Sequence, residues 1–252
     1  MFYLIGLGIY GWKGLSVEGL NACKNADSMF IETYTNIIQK EYIIDLEKTI
    51  NKKIRELSRD DVETKSEELF IDKSKKSDVC LLVGGDPLTA TTHIELLRLC
   101  KEKGIKFKVV HAASIYNSVC ETGLHVYKFG KSCSIPFPEP HYNPTSFFDI
   151  IEQNQKIEAH TIVFLDIKKD QDKYMTISEG LNILLNISKE KKSFFNDNTK
   201  VIGIARLGSP DQVIRYGSVK ELLNFDFGKN PHILIVPKMG KIEEEYAKEL
   251  YS

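Results

Sequence analysis

The feature that most constrains the fold of this chain is a short apolar run that ends in two glycines and an aspartate. Residues 79–83 carry no charged side chain and have the length of a strand buried on both faces of a sheet. Gly84 and Gly85 allow a sharp turn, and Asp86 then places one carboxylate at the end of the run. Ligands of open α/β sheets bind outside the carboxyl ends of strands, so Asp86 is predicted to face ribose hydroxyls or a cationic group. The alternative is that Asp86 caps a helix over residues 90–103.

Apolar runs of strand length alternate with helix-like segments along the chain. This alternation predicts an α/β fold with a mostly parallel sheet covered by helices. The predicted strands are residues 2–5, 28–32, 79–83, 107–111, 161–167, 201–205 and 233–236. Helices are predicted after the N-cap candidate Ser16, around Ile50, Ile54 and Leu57, and over residues 90–103, 145–154, 177–190 and 242–251.

A proline-rich segment indicates a boundary between two domains. Pro136, Pro138, Pro140 and Pro144 fall close together, and this density favours a linker or crossover over a helix or a strand. The parts of the chain on either side of such a boundary each have a length that is ordinary for a single domain. We therefore predict an amino-terminal α/β domain over residues 1–120 and a carboxy-terminal α/β domain over residues 121–252.

The charge balance argues against bulk attraction to nucleic acid or to an anionic membrane. The 252 residues contain 34 Lys and Arg against 35 Asp and Glu, which leaves a formal net charge of -1. Residues 1–6 lack a basic lead and read as a strand, and no apolar run approaches the roughly 18 residues of a membrane span. We predict no nucleic-acid or membrane partner and a cytoplasmic location.

The cysteines and histidines show no metal-ligand spacing. The five cysteines are widely separated without a Cys-x-x-Cys pair, and the six histidines form no His-Glu-x-x-His motif. Most of the cysteines are interpreted as reduced, buried apolar residues. We predict no metal site.

The sequence near the amino terminus matches the glycine pattern of a dinucleotide-binding fingerprint. Gly6, Gly8 and Gly11 follow the first predicted strand at Gly-x-Gly-x-x-Gly spacing, and Glu32 ends the next strand. The fingerprint requires a helix that begins inside the motif, whereas the best helix cap is Ser16. A nicotinamide or flavin site is therefore kept only as a minor alternative.

Eight short sequence blocks stand in order over essentially the whole chain. The blocks are Tyr3-Leu4-Ile5-Gly6-Leu7-Gly8, Glu32-Thr33-Tyr34-Thr35, Gly85-Asp86-Pro87 with Ala90-Thr91-Thr92-His93, Ala113-Ser114-Ile115-Tyr116-Asn117, Tyr127-Lys128-Phe129-Gly130, His160-Thr161 with Leu165-Asp166-Ile167-Lys168, Ala205-Arg206-Leu207-Gly208 with Asp211-Gln212, and Pro231-His232. Together they resemble the diphthine synthase family of methyltransferases. One such block is weak support, whereas eight in order are specific.

The resemblance implies the tetrapyrrole-methylase-type fold, with S-adenosyl-L-methionine bent into a cleft between two α/β domains, and a homodimer. It implies successive methylation of the 3-amino-3-carboxypropyl arm on a histidine of translation elongation factor 2 in diphthamide biosynthesis, with S-adenosyl-L-homocysteine as by-product. The protein product is diphthine, or diphthine methyl ester in eukaryotic members. Loops rich in Asn, Lys and Ile suggest a eukaryotic genome and favour the methyl ester. The alternative within the same fold is a precorrin- or uroporphyrinogen-type tetrapyrrole methyltransferase.

The resemblance also implies a set of cofactor-binding residues. These are Ile9, Asp86, Thr89, Ser114, Ile115, Leu165, Leu207 and His232. Thr89 stands where relatives often have glycine, and Trp12 and Lys13 lie in a first loop from which an aspartate common in relatives is missing. His232 opens a predicted strand and could equally have a structural role.

No catalytic residue is assigned from the sequence. The candidates for holding the substrate carboxylate or removing a proton are Lys128, His93 and Arg206. Tyr34, Tyr127 and Phe129 could form an aromatic wall for a methylated ammonium group, although aromatic residues near strands more often belong to the core.

Overall fold

The computed structural model describes the backbone of residues 1–252 and every side chain except that of Asp170. The chain forms two compact units, Met1–Ser118 and Val119–Ser252. The division predicted from the sequence lies between residues 120 and 121. None of the described helices combines the length and the apolar character needed to cross a membrane.

The first unit is built on a parallel sheet of five strands in the order β3-β2-β4-β1-β5. The strands are β1 (Phe2–Gly6), β2 (Ser28–Glu32), β3 (Ile54–Leu57), β4 (Val79–Val83) and β5 (Phe107–Val110). The helices are α1 (Val17–Asn25), α2 (Lys40–Ile50), α3 (Arg59–Glu63), α4 (Ile94–Glu102) and α5 (Ile115–Ser118). The parallel sheet predicted from the alternation is confirmed in this unit.

Helices cover both faces of this sheet, which explains why its central strands are apolar throughout. On β4, Val79, Leu81 and Val83 pack into the core that includes α4, whereas Cys80 and Leu82 pack into the core that includes α1 and α2. Successive side chains of a strand point to opposite faces, so a strand covered on both sides must be apolar at every position. All five residues of β4 are buried.

Two helix predictions in the first unit are corrected by the structure, one in its start and one in its extent. The helix predicted from residue 90 begins only at Ile94, because Ala90 adopts a left-handed conformation with φ of 57°. The helical periodicity around Ile50 does not continue, because α2 ends there and Asn51 follows with φ of 53°. Ile54 and Leu57 are instead the buried ends of β3. Short apolar spacings fit both a helix and a strand, and here the pairing with β2 decides.

The second unit contains a mixed sheet in the order β11-β10-β12-β7-β6. Its strands are β6 (Cys133–Ile135), β7 (Thr161–Leu165), β10 (Lys200–Ala205), β11 (Val213–Ser218) and β12 (His232–Val236), and a separate two-stranded ribbon consists of β8 (Ile167–Lys168) and β9 (Lys173–Tyr174). The helices are α6 (Ser146–Lys156), α7 (Ile177–Lys191), α8 (Val219–Leu223) and α9 (Lys241–Tyr251). The helices predicted over 145–154, 177–190 and 242–251 are confirmed.

The prediction of a mostly parallel sheet is wrong for the second unit. Only the β6–β7 pair is parallel, whereas β10 is antiparallel to β11 and β12, and β12 is antiparallel to β7. The apolar runs could not predict this difference, because a strand buried on both faces has the same apolar composition whether it pairs in parallel or antiparallel. β11 was not predicted, since its residues 213–215 are only half-buried.

Candidate functional site

The parallel sheet of the first unit brings five of the predicted cofactor residues to one edge. Ile9 follows the carboxyl end of β1, Asp86 and Thr89 follow β4, and Ser114 and Ile115 follow β5. The strands β4, β1 and β5 are neighbours in the sheet, so their carboxyl ends lie side by side. This edge is where ligands bind in open α/β sheets.

Two glycines tie the ends of β1 and β4 together at this edge. Gly8 N–H donates to the Gly85 carbonyl at 3.1 Å, and Gly85 N–H donates to the Gly8 carbonyl at 2.9 Å. Both residues have φ of 74°, a left-handed conformation that favours glycine. A side-chain carbon on Gly6 would meet the Gly85 carbonyl at 2.6 Å, whereas one on Gly85 would meet nothing within 4 Å. The Gly85 carbonyl is therefore closely packed against Gly6, whereas the space that a side chain on Gly85 would occupy is open and leaves room for a bound group.

The carboxylate of Asp86 connects the loops that follow β4 and β5. Its Oδ1 accepts from the Leu88 N–H at 3.0 Å and from the Thr89 hydroxyl at 3.2 Å. Its Oδ2 accepts from His111 Nδ1 at 2.7 Å and from the Ala112 N–H at 3.2 Å. These four donors match the roughly four lone-pair directions of a carboxylate. The alternative role for Asp86 as the cap of α4 is wrong, because its partners lie in these loops.

Asp86 remains ionised under ordinary conditions. Burial opposes the charge, but the hydrogen bonds from Leu88, His111 and Ala112 outweigh it and hold the pKa of Asp86 below its usual value. An ionised carboxylate only accepts hydrogen bonds, so the proton between the two side chains belongs to His111 Nδ1. The loop thus presents a fixed negative charge near the sheet edge, which suits a cationic ligand.

The other predicted residues of the first unit contribute one hydroxyl and apolar surface. Ser114 is buried, and its N–H and hydroxyl contact Asn117 Oδ1 at 2.7 and 3.3 Å. These two contacts to Asn117 hold Ser114 in one orientation within its own turn. Ile9, in the loop after β1, and Ile115, at the start of α5, are half-buried.

The dinucleotide fingerprint does not form its expected structure. A short 3-10 turn, Gly11–Gly14, begins at the last glycine of the motif. α1 begins only at Val17, after Ser16, whose hydroxyl accepts from the Gly19 N–H at 3.0 Å. Glu32 is buried and accepts from the N–H groups of Tyr34 and Thr35 at 3.1 Å each. The helix therefore starts too late to hold a pyrophosphate, and Glu32 stabilises its own turn.

The remaining three predicted residues share one edge of the sheet in the second unit. Leu165 ends β7, Leu207 follows β10, and His232 begins β12. Because β12 is antiparallel to both neighbours, its first residues lie beside the last residues of β7 and β10; Ala205 pairs with His232. Leu165 and Leu207 are both buried. The antiparallel pairing, which the sequence did not predict, is what brings these three residues together.

His232 already has a partner for each ring nitrogen. Nδ1 accepts from the Ile177 N–H at 3.4 Å, and Nε2 lies 3.2 Å from the Gly228 carbonyl, to which it donates in the neutral tautomer. Burial lowers the pKa of His232, so the neutral ring is favoured. This arrangement supports the structural alternative for His232 that the sequence left open.

The candidates for proton removal are engaged in contacts of their own units. His93 is buried, with Nδ1 3.1 Å from the Pro87 carbonyl and Nε2 3.4 Å from the Tyr34 hydroxyl. Lys128 forms an ion pair with Glu243 at 2.7 Å. Arg206 contacts the Asp211 carboxylate at 2.8 Å and donates to the backbone carbonyls of Asp211 and Phe227.

Sequence reasoning missed His111, the residue that pairs with Asp86. Its side chain is 68% exposed although Nδ1 is held at 2.7 Å. The available signal was its position as a polar residue at the end of a predicted strand, the same signal that identified Asp86.

A separate surface groove of about 700 Å³ lies at the opposite, amino-terminal edge of the same sheet. It is lined by the first residues of β2 and β3 and the turns before them, among them Lys52 in a turn and Arg55 in β3. The Lys52 ammonium contacts backbone carbonyls at the end of α1, which gives it a capping role. None of the predicted cofactor residues lines this groove.

Comparison with known proteins identifies the family. The model of the tetrapyrrole (corrin/porphyrin) methylases matches residues 1–223. The chain is 39% identical to the diphthine synthase of Methanococcus maripaludis, covering 100% of this chain and 99% of the relative, and 39% identical to that of Methanocaldococcus jannaschii, covering 99% and 98%. The chain belongs to the diphthine synthase family of tetrapyrrole methylases. The resemblance seen in the eight sequence blocks is thereby confirmed, and the protein is a methyltransferase.

Solved structures of the diphthine synthase family have the same fold. A crystal structure assigned as a diphthine synthase from Entamoeba histolytica superposes with a TM-score of 0.90 at 36% identity, covering 100% of this chain and 98% of the other. A second diphthine synthase structure gives a TM-score of 0.88 at 33% identity, covering 99% and 95%. The tetrapyrrole-methylase-like α/β fold is therefore confirmed.

Proposed function

We propose that this protein transfers methyl groups from S-adenosyl-L-methionine to the 3-amino-3-carboxypropyl arm of a modified histidine on translation elongation factor 2. The product is diphthine, or diphthine methyl ester if the arm's carboxylate is methylated as well. The observation that carries this proposal is the similarity to diphthine synthases over the full length of both chains. The accompanying proposals are a homodimer and action in the cytoplasm, where the elongation factor works.

The residues at the two sheet edges fit the chemistry of this cofactor. The open face of Gly85 allows a ligand to approach the backbone, which a side chain would prevent. Asp86 supplies negative charge for a ligand that carries a sulfonium and an ammonium group. Ile9, Ile115 and Leu165 supply apolar surface of the kind that lines small-molecule sites.

We assign the eight residues Ile9, Asp86, Thr89, Ser114, Ile115, Leu165, Leu207 and His232 to the cofactor site on the family resemblance. Asp86 has all its acceptor positions occupied within its loops, so its contribution is charge and loop shape. The Thr89 hydroxyl is similarly turned toward Asp86, which accommodates the side chain that replaces a glycine common in relatives.

The cofactor supplies an electrophilic methyl group on its sulfonium, and the protein supplies alignment and a neutral amine. Well-oriented reacting groups gain effective molarities on the order of 10⁵–10⁸ M. An ammonium group has no lone pair, so the substrate amine must lose a proton before it attacks. The protein therefore needs a proton acceptor or a desolvated environment near the arm.

A tetrapyrrole methyltransferase is the second candidate, because the matching family model describes methylases of corrins and porphyrins. Diphthine synthases match this chain over its full length, which favours the protein substrate. A tetrapyrrole of the precorrin or uroporphyrinogen type is the substrate to test if the protein substrate fails.

Mass spectrometry of elongation factor 2 is the decisive experiment. The substrate is elongation factor 2 that carries the unmethylated arm, incubated with this protein and S-adenosyl-L-methionine. We expect a shift of three methyl groups for diphthine or four for the methyl ester, with no shift for factor that lacks the arm. An unchanged mass, together with measured cofactor binding, would contradict the proposed substrate and support the tetrapyrrole alternative.

A further inference from the structure

We propose that His111, held in place by Asp86, is the base that removes the proton from the substrate amine before methyl transfer. This inference rests on the proposed function and deepens it, because it assigns a catalytic residue at the site edge. It stands on the geometry of the two side chains and on their position in the sheet.

Asp86 and His111 form a carboxylate–imidazole pair of defined orientation. The distance from Asp86 Oδ2 to His111 Nδ1 is 2.7 Å, and the Asp86 side chain is only 9% exposed. Asp86 is itself held by Leu88 and Thr89 through its other oxygen. A buried carboxylate with fixed partners aims the imidazole and selects the tautomer with its proton on Nδ1.

The selected tautomer leaves a lone pair on His111 Nε2. The side chain is 68% exposed, so this nitrogen can meet a substrate group and can return a proton to solvent. The pair therefore has two properties that a general base needs, which are an acceptor nitrogen that solvent can reach and an orientation fixed by the carboxylate.

The pair lies at the edge to which five cofactor residues are assigned. His111 follows β5 directly, and Ser114 and Ile115 come next in the same loop. Asp86 occupies the loop after β4, beside the open face of Gly85. A substrate amine must approach this edge to reach a methyl group bound there.

His93, His232 and Lys128 are less suited to this step. His93 is 1% exposed and contacts the Pro87 carbonyl, and both ring nitrogens of His232 have partners. Lys128 is bound to the buried carboxylate of Glu243. Each of these groups would have to give up a contact before it could accept a proton from a substrate.

The proposed step balances for each N-methylation. Nε2 of His111 takes a proton from the substrate ammonium, and the nitrogen lone pair that remains attacks the methyl carbon. A nitrogen–carbon bond forms, the sulfur–carbon bond breaks, and its electron pair stays on sulfur as S-adenosyl-L-homocysteine. The imidazolium then releases its proton to solvent. Methylation of the arm's carboxylate would not use this base, because an ionised carboxylate already has a lone pair.

The test compares His111→Gln with His141→Gln, an exposed histidine of the second unit that serves as the control. Gln keeps a hydrogen-bond donor toward Asp86, so the loop retains a partner for the carboxylate. We measure single-turnover transfer to arm-bearing elongation factor 2 by mass spectrometry, and cofactor affinity by calorimetry. We expect His111→Gln to slow N-methylation at neutral pH by roughly 10²–10⁴-fold, the range of general-base catalysis, with cofactor affinity unchanged.

The pH dependence separates a base from a structural residue. Among the described side chains, the charged group in contact with His111 is Asp86, from the loop after β4. As the pH rises, the substrate amine loses its proton without help, so the deficit of His111→Gln should shrink. Added imidazole should also restore part of the rate to His111→Ala.

Three outcomes are informative. A wild-type protein that transfers no methyl group contradicts the proposed function itself. Wild-type activity with an equally fast His111→Gln variant would overturn the inference but leave the proposed function standing. A deficit of constant size at every pH, without imidazole rescue, would also overturn it, since that result indicates a purely structural role.

Discussion

At the scale of single residues, Gly85 and Asp86 have different tasks in one loop. Gly85 has no side chain and a left-handed backbone, and the space in front of it is open. Asp86 has a side chain that is fully used for hydrogen bonds to the two loops. Gly85 leaves open space at the sheet edge, and Asp86 fixes the conformation of the two loops beside it.

We predict that Gly85→Ala weakens binding of S-adenosyl-L-methionine by at least tenfold. The added methyl would occupy the open space at the site edge. Calorimetric measurement of the dissociation constant checks this prediction.

Gly104→Ala is a closely matched control. Gly104 also has a left-handed backbone, with φ of 66°, and a side-chain carbon there also meets nothing within 4 Å. Unlike Gly85, it lies after α4, away from the edge to which the cofactor residues are assigned. Both variants should lose about 1–2 kcal/mol of stability from backbone strain. Equal cofactor affinity in the two variants would mean that the cofactor does not approach Gly85.

At the scale of elements, a buried carboxylate anchors the last helix. Glu243, in the first turn of α9, is 2% exposed. Its oxygens accept from Lys128 at 2.7 Å, Gly240 N–H at 2.8 Å, His160 Nε2 at 2.9 Å and His125 N–H at 3.1 Å. The helix is thus joined to β7 and to the segment that carries the Tyr127–Gly130 block. Lys128, which the sequence offered as a substrate-binding residue, takes part in this anchor.

Glu243 should make the stability of the protein fall in acid. Burial opposes its ionisation, but its hydrogen bonds and the ion pair with Lys128 prevail and lower the pKa to about 2. A pKa depressed on folding stabilises the protein above the pKa of the unfolded chain, near 4.3, and this stabilisation is lost as the pH falls toward 2. A shift of this size corresponds to about 3 kcal/mol.

We predict that Glu243→Gln lowers the free energy of unfolding at pH 7 by about 3 kcal/mol and flattens its decline between pH 5 and 2. Urea unfolding at a series of pH values measures both effects. Glu245→Gln, at an exposed position of the same helix, is the control and should keep the wild-type profile. A variant at position 243 with the wild-type acid profile would contradict the anchoring role.

At the scale of the whole molecule, two sheets of different construction each gather assigned residues at one edge. The parallel sheet does so with three strands that run in the same direction. The mixed sheet does so by placing the start of β12 between the ends of β7 and β10. Although their topologies differ, each sheet places loops from separate parts of the chain beside one another at one edge.

Cofactor residues are assigned in each unit, and hydrogen exchange tests the assignment of each unit separately. We predict slower hydrogen exchange on addition of S-adenosyl-L-methionine in four segments, residues 84–90, 111–116, 205–208 and 231–233. The amino-terminal edge of the first sheet, around residues 25–30 and 52–55, serves as the internal reference and should exchange as before. Protection limited to the first unit would contradict the assignment of Leu207 and His232.

The amino-acid sequence by itself determined the α/β class, most strand and helix positions, and the polar residue at the end of β4. These features depend on local patterns, such as a continuous apolar run, the spacing of a helix face, or a cap such as Ser16. The eight blocks also carried the family. The roles of the individual cofactor residues came from the resemblance and stay predictions.

Only the tertiary structure decided which of these pieces meet. Asp86 and His111 lie 25 residues apart and follow β4 and β5, which are separated in the sheet by β1, so their pairing depends on a strand order that no local pattern contains. The direction of β12 was equally hidden, because a strand buried on both faces is apolar whichever way it runs. Residues at strand ends can be read from a sequence, but their neighbours are chosen by long-range packing and hydrogen bonding between strands.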